Sequence, residues 1–224
     1  MFIKGERVNL RPLTSSDVGE TWLSWLNDPV VLRYRGPKAF PSTLSDIHRY
    51  LGNQNGDLRL AICSDKSGHI GNITLGSINW VHRSAELNIM LGIGRGEGFG
   101  KDAIGSLVNH AFSNMGLLRV WAESPNPAFI GAVCSLGWTK EGIKRKAFLL
   151  KGEFIDIECW AILKGEEKLG ALNSRKYPPI FLQKSQAPPA SQASEQGREA
   201  ARLTKTAPTF SGLEKLTRQS GSLP

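Results

Sequence analysis

The sequence predicts a mixed α/β (α+β) domain of about 165 residues, with much of its sheet antiparallel, followed by a segment that cannot form a core. Three observations carry this expectation. Three successive runs, LRLAIC (58–63), HIGNITLGSINWV (69–81) and AELNIML (85–91), have strand character and are separated by short turn sequences. Later, Ile104, Leu107, Val108, Ala111 and Phe112 fall at i, i+3, i+4, i+7 and i+8, one face of a helix. From about residue 166 Pro, Ala, Ser, Gln and Thr dominate and large apolar residues become scarce.

Taken in order, VNLRPL (8–13) reads as a first strand. SSDVGETWLSWLND (15–28) carries a helix with Ser16 or Asp17 as cap and Trp22, Leu23, Trp25 and Leu26 on or near its apolar face. A second helix follows STLSD, with Leu44, Ile47, His48 and Leu51 at helical spacing. The first two of the three strand runs are joined by SDKSG, a glycine-containing turn, and the third completes a meander. RGEGFG (95–100) then leads into the helix KDAIGSLVNHAF (101–112). LLRVWAE (117–123) reads as a buried strand. Asn126-Pro127 opens another helix, in which Phe129, Ala132, Val133 and Leu136 share a face and which Gly137 stops. AFLLK and EFIDIECWAIL supply a closing hairpin. The expected division is a domain over 1–165 and a disordered tail over 166–224, where only YPPIFL (177–182) and GLEKL (212–216) are apolar.

The 224 residues carry a formal charge of +8. The tail holds nine Lys/Arg against five Asp/Glu, so tail and domain have +4 each and neither is strongly basic. With no interleaving of aromatic and basic residues, this argues against a nucleic-acid partner. Cys63, Cys134 and Cys159 are odd in number and widely spaced, which indicates neither a disulfide framework nor a cysteine-rich metal site. No run reaches the roughly 18 apolar residues of a membrane span, and the amino terminus lacks a signal-peptide core. The expectation is a cytoplasmic protein without a membrane partner.

Three glycines in six residues ask for left-handed backbone or for something lying against bare backbone. A strand, a glycine-rich turn and a helix start bring several unpaired N–H groups around one small volume, and such a volume attracts anions. Gly98 and Gly100 would admit a phosphate, with Arg95 and Lys101 adding positive charge. The loop is neither a Walker loop nor the dinucleotide fingerprint. By itself it reads equally as a tight connection between strand and helix.

Five stretches in order narrow that choice. Residues 95–100 match R-x-x-G-x-G, and LLRVWAE, Asn126 with LGW (136–138), EG (141–142) and GEFID ending at Asp156 follow. Together they resemble the GNAT superfamily of N-acetyltransferases over about residues 5–163. The opening, LRPLTSSD with WLSWLNDPVV, is similar to the branch of ribosomal-protein N-terminal and amino-sugar or antibiotic acetyltransferases. The resemblance implies a GNAT-type, mostly antiparallel central sheet of six to seven strands with about four helices. It also implies acetyl-coenzyme A as co-substrate and a primary amine as acceptor. Arg95, Gly96, Gly98, Phe99, Gly100 and Lys101 would hold the pyrophosphate, residues 88–91 with Met90 and Leu91 would border the pantetheine arm, and Asn126 would contact that arm while capping its helix. One backbone N–H of the strand would face the thioester oxygen.

Attack on a thioester needs a neutral amine. Glu86 is the candidate general base, since strand alternation puts it on one face with Asn88 and Met90; a pair with Arg83 is its structural alternative. His82 is a second candidate. Many members of the family carry a tyrosine as acid in the helix before LGF, whereas this chain has AVCSLGW, where Cys134 and Ser135 are the protic side chains. Cys134 is the catalytic candidate there, or else a packing residue. Trp22, Trp25, Trp80 and Trp138 are expected in the core or a pocket wall. Acceptor specificity is expected from the first two helices, the 33–42 loop and the 77–84 turn. A non-catalytic acyl-coenzyme A-binding regulatory module and, less favoured by the charge distribution, a basic nucleic-acid-associated protein are the alternative functions, no metal is expected, and a homodimer is left open.

Overall fold

Eight strands, β1 (Ile3–Lys4), β2 (Asn9–Pro12), β3 (Leu58–Ser64), β4 (Gly68–Asn79), β5 (Ser84–Leu91), β6 (Arg119–Ser124), β7 (Thr139–Leu150) and β8 (Glu153–Leu163), form one sheet. Their order is β1-β2-β3-β4-β5-β6-β8-β7. Every neighbouring pair is antiparallel except β5 and β6. The computed structural model describes residues 2–35, 40–53 and 56–166. The expected tail beyond Glu166, with YPPIFL and GLEKL, and part of the 33–42 loop lie outside the described residues.

The sheet has one strand more than the upper expectation. The addition is β1, two residues long and too short to show a period. It is held from afar: the Asp102 carboxylate accepts from the backbone N–H groups of Glu6 (3.1 Å), Arg7 (2.8 Å) and Val8 (2.9 Å), fixing the turn between β1 and β2.

The helix expected within 15–28 is divided into a 3-10 turn (Ser15–Asp17) and α1 (Glu20–Asn27), and a further short helix, α2 (Pro29–Leu32), follows it. Pro29 has no N–H to continue α1 and suits the first position of α2, where the Asp28 side chain accepts from Val30 N (2.8 Å). Neither Ser16 nor Asp17 caps α1, whose N-cap is Gly19. Asp17 instead accepts from Thr14 N (2.8 Å) and takes both Arg11 terminal nitrogens at 2.8 and 2.6 Å. Burial opposes ionisation of that carboxyl, but Arg11 and the Thr14 N–H outweigh it and lower its pKa to about 2. α3 (Leu44–Gly52) begins in a capping box between Thr43 and Asp46.

The sheet separates two apolar layers. α4 (Phe99–Ser113) turns Ala103, Ile104, Leu107, Val108, Ala111 and Phe112 onto one face, and α5 (Pro127–Ser135) adds Val133. Leu87, Ile89 and Leu91 of β5 belong to that layer. Met90 points the other way, to the cluster of Trp22, Trp25 and Ile47 under α1 and α3. Trp138 and both helix tryptophans are buried as expected, whereas Trp80 is 60% exposed at the tip of the β4–β5 hairpin and joins no core.

Between the two central strands the sheet opens. Ser84, Ala85 and Glu86 pair with Arg119, Val120 and Trp121, and pairing then stops. Beyond it β5 bonds only to β4, and residues 122–124 of β6 bond only to β8.

Candidate active site

Which backbone groups face this opening follows from the ladder. Leu91 lies opposite Gly71, and Gly92 N donates to Ile70 O (2.9 Å), so the Leu91–Gly71 pair is a non-hydrogen-bonded one. Alternation then gives the backbone groups of Asn88 and Met90 to β4 and turns those of Leu87, Ile89 and Leu91 toward the opening. Of the two expected cofactor residues on β5, Leu91 presents backbone there, and its carbonyl accepts from Arg95 Nη1 (3.3 Å). Met90 presents only its side chain, on the α1–α3 face.

The glycine loop lies at the end of the opening. Gly94, Gly96 and Gly98 have φ of 70°, 87° and 86°, a region other residues enter at a cost. Gly98 is the N-cap of α4 and supplies no side-chain cap, which leaves the first-turn N–H groups to an external acceptor. Phe99 anchors the loop from below: a Cβ on Gly94 would come within 2.6 Å of its ring. Gly92 is equally constrained, because a Cβ there would fall 2.0 Å from the Trp25 ring. Gly100 packs on Leu91.

The positive groups are arranged differently from the sequence expectation. Arg95 turns toward α2, where it meets Asp28 (3.3 Å), while Lys101 is exposed on the first turn of α4. Arg7, which no sequence pattern marked, crosses the loop. Its Nη1 donates to Glu97 O (2.5 Å), its guanidinium lies 5.2 Å from the Phe99 ring centre, and a Cβ on Gly98 would approach Nη1 to 2.9 Å. From here an open groove of about 1060 Å³ follows the outer side of α4, bordered by Lys4, Arg7, Lys101, Asn109 and His110.

At the closed end of the opening stands Glu86, half-buried, the last β5 residue paired to β6. Ser77 Oγ is 3.5 Å from its Oε2. Ser77 reaches it from a bulge between Gly76 and Asn79 with φ of 50°, backbone strain placed beside a carboxylate. Among the described residues no ion pair joins Glu86 to Arg83. His82 lies in the exposed hairpin turn, with its backbone N–H donating to Asn79 Oδ1 (2.8 Å).

On the β6 side, Glu123 shares a face with Trp121 and accepts from Lys144 Nζ (2.6 Å), while Cys159 Sγ lies 3.9 Å away. Glu123 raises the Lys144 pKa, against some desolvation, and Glu86 contributes to the rise. This cluster was missed because it is assembled from β6, β7 and β8, whose spatial order no local pattern reveals.

Cys134 is exposed on α5, with Glu158 and Lys140 as its charged neighbours; burial first, then Glu158, pushes its thiol pKa up. Among the described residues no contact brings it to Glu86. Ser135 is committed to Ala132 O (2.7 Å). Asn126 caps α5, its Oδ1 accepting from Ala128 N (3.0 Å). The wall beside Asn88 and Met90 is made by Arg35, whose Nη1 lies 3.3 Å from Met90 Sδ, and by Tyr50, whose hydroxyl meets Thr74 Oγ1 at 3.0 Å. Among the described residues no metal-binding cluster occurs, and no helix is long and apolar enough to cross a membrane.

Residues 7–128 match the family model described as acetyltransferase (GNAT) domain. The chain is 28% identical over 172 residues to an uncharacterized N-acetyltransferase of Bacillus licheniformis, covering 72% of this chain and 95% of the other. It is 26% identical over 128 residues to the spermidine N(1)-acetyltransferase of Vibrio cholerae, covering 55% and 73%. The fold superposes on the crystal structure of the Vibrio cholerae spermidine N-acetyltransferase in complex with CoA and spermine. The TM-score is 0.65 at 21% identity, covering 72% of this chain and 98% of that one. An acetyltransferase (GNAT family) structure from Bacillus anthracis gives 0.62 at 22%, covering 75% and 99%.

Proposed function

The chain belongs to the GNAT acetyltransferases and is an N-acetyltransferase with acetyl-coenzyme A as co-substrate, and from that premise we propose that it acetylates a small primary amine by direct attack, with Glu86 as base. The observation that carries this reading is the end of the β5–β6 pairing at Glu86 and Trp121. It leaves a strand edge of unpaired backbone groups leading from a carboxylate to a bare helix start. The residues present fit the co-substrate. The N–H groups of residues 98–101, with Arg7 and Lys101, suit a pyrophosphate. Leu87, Ile89 and Leu91 offer the alternating donors and acceptors that pantetheine amides require, and Asn126 stands at the opposite lip.

The acceptor enters over the face of Glu86, Asn88 and Met90. Its ammonium loses a proton to Glu86, the neutral nitrogen attacks the thioester carbon, and a backbone N–H of the open β5 edge stabilises the oxyanion. The carbon–sulfur bond then breaks, the nitrogen gives up its second proton to solvent to become the amide, and the departing thiolate takes a proton from solvent. Cys134, exposed on α5 beside Glu158 and Lys140, is given no part in these proton transfers. Part of the rate comes from holding the two reactants together. The name of the Vibrio cholerae relative supports a small amine over a protein amino terminus as acceptor. Catalysis is assigned to residues 1–165.

Glu86→Gln tests the assignment. Turnover, followed as thiol release, falls at least about 100-fold while acetyl-coenzyme A still raises the melting temperature. Normal turnover by this variant removes Glu86 from the mechanism.

A further inference from the structure

Arg35 follows the end of α2 at the rim of the acceptor face. Arg11, Arg49, Arg59, Arg95 and Arg119 each close on a carboxylate. Arg35, like Arg7, Arg33, Arg83 and Arg145, does not among the described residues; what sets it apart is its place at the acceptor face, where its one hydrogen-bond acceptor is the Met90 thioether sulfur. A thioether is a weak acceptor, so most of its five donors stay available in a fixed fork. Met90 lies four residues beyond Glu86 on the same face, about 13 Å along the strand, with Asn88 halfway. Tyr50, held by Thr74, is the neighbouring wall. Desolvation lowers the Arg35 pKa, but an arginine stays cationic at neutral pH. A permanent cation without a counter-charge is therefore positioned over the path of the acceptor.

We propose that Arg35 is a specificity-determining residue that binds an anionic group, carboxylate or phosphate, on the amine acceptor. The inference rests on the acceptor face assigned above. The acceptor is then an amine carrying an anion about 7–13 Å from the reacting nitrogen, the interval from Met90 back to Asn88 and Glu86. A simple polycation would be repelled at the same point, which separates this chain's preference from the substrate in the name of its Vibrio cholerae relative.

The test uses matched probes: 6-aminohexanoate and its amide, glucosamine 6-phosphate and glucosamine, and spermidine. For the full-length protein, kcat/KM of at least one anionic probe exceeds that of its neutral partner by about 10- to 100-fold, the range expected for a charge-assisted bidentate contact. The better-fitting pair also distinguishes carboxylate from phosphate. Arg35→Met brings that ratio to about 1 and Arg35→Lys retains part of it. In both variants the acetyl-coenzyme A melting shift is unchanged. Ratios near 1 in the wild type, a ratio that survives Arg35→Met, or spermidine outrunning both anionic probes would overturn the proposal. If none of the five amines is acetylated, the acceptor reading above fails instead. The Arg35 inference is then decided by melting shifts with coenzyme A present: a shift by an anionic probe that Arg35→Met abolishes sustains it, and no shift in the wild type overturns it.

Discussion

Gly92→Ala is expected to damage the domain from a position that no motif marks. The backbone there is not left-handed, so the cost comes from contact alone. The added Cβ would lie 2.0, 2.2 and 2.3 Å from three Trp25 ring atoms, so the ring must retreat by more than 1 Å to restore ordinary separation. It has little room. Trp25 is 6% exposed, stands edge-on to His69 with ring centres 5.1 Å apart, and shares a cluster with Trp22 and Ile47. His69 Nε2 in turn meets Asn72 at 2.8 Å, and the Asn72 amide, oriented to suit both, accepts from Trp22 Nε1 (3.0 Å). Overpacking of a closed core costs about 1–3 kcal/mol, and this displacement belongs at the upper end. At about 2–4 °C per kcal/mol for a domain of this size, the melting temperature falls by about 6–12 °C. Because Gly92 leads into the loop, KM for acetyl-coenzyme A rises as well. Gly96→Ala is the comparison: its Cβ meets nothing within 4 Å and only the φ of 87° is unfavourable, a cost of about 1 kcal/mol. Thermal melting of both variants decides the matter. If Gly92→Ala melts within about 1 °C of the wild type, or no lower than Gly96→Ala, the contact does not constrain the loop.

Asp17→Asn should lower stability at pH 7 by about 2 kcal/mol, since a carboxyl pKa lowered from 3.8 to about 2 stabilises the fold whenever it is ionised. The sign fixes the pH window: the contribution is complete above about pH 4 and is lost as pH falls toward 2, so the two melting curves converge in acid. Arg7→Met should raise the acetyl-coenzyme A dissociation constant about 5- to 10-fold and flatten its salt dependence, read by calorimetry at two ionic strengths; unchanged affinity removes Arg7 from the phosphate site.

The repeating parts of the fold were legible in the sequence. The apolar period of α4, the meander and the Asn126-Pro127 helix start are local signals, and the structure has them with boundaries moved by a few residues. α4, for instance, begins at Phe99 rather than Lys101 because Gly98 already serves as its N-cap. What stayed hidden depends on distant partners. β1 exists because of a carboxylate about 95 residues away, and Glu123 meets Lys144 only because β8 lies between β6 and β7. Pro29 was visible, yet the short α2 that it opens depends on the Asp28 cap. In the site, the loop glycines were identifiable by type and spacing, whereas the direction of Arg95 and the presence of Arg7 depend on packing against α2 and Phe99.

The most direct test is residue-resolved amide exchange with and without acetyl-coenzyme A. If the co-substrate lies along the open edge of β5 with its phosphates at the start of α4, the Leu87, Ile89 and Leu91 amides and those of residues 99–101 slow at least about tenfold. Met90, whose N–H already belongs to the β4 ladder, changes far less. Uniform slowing across β5, or protection confined to surfaces away from the opening and the loop, would contradict the account.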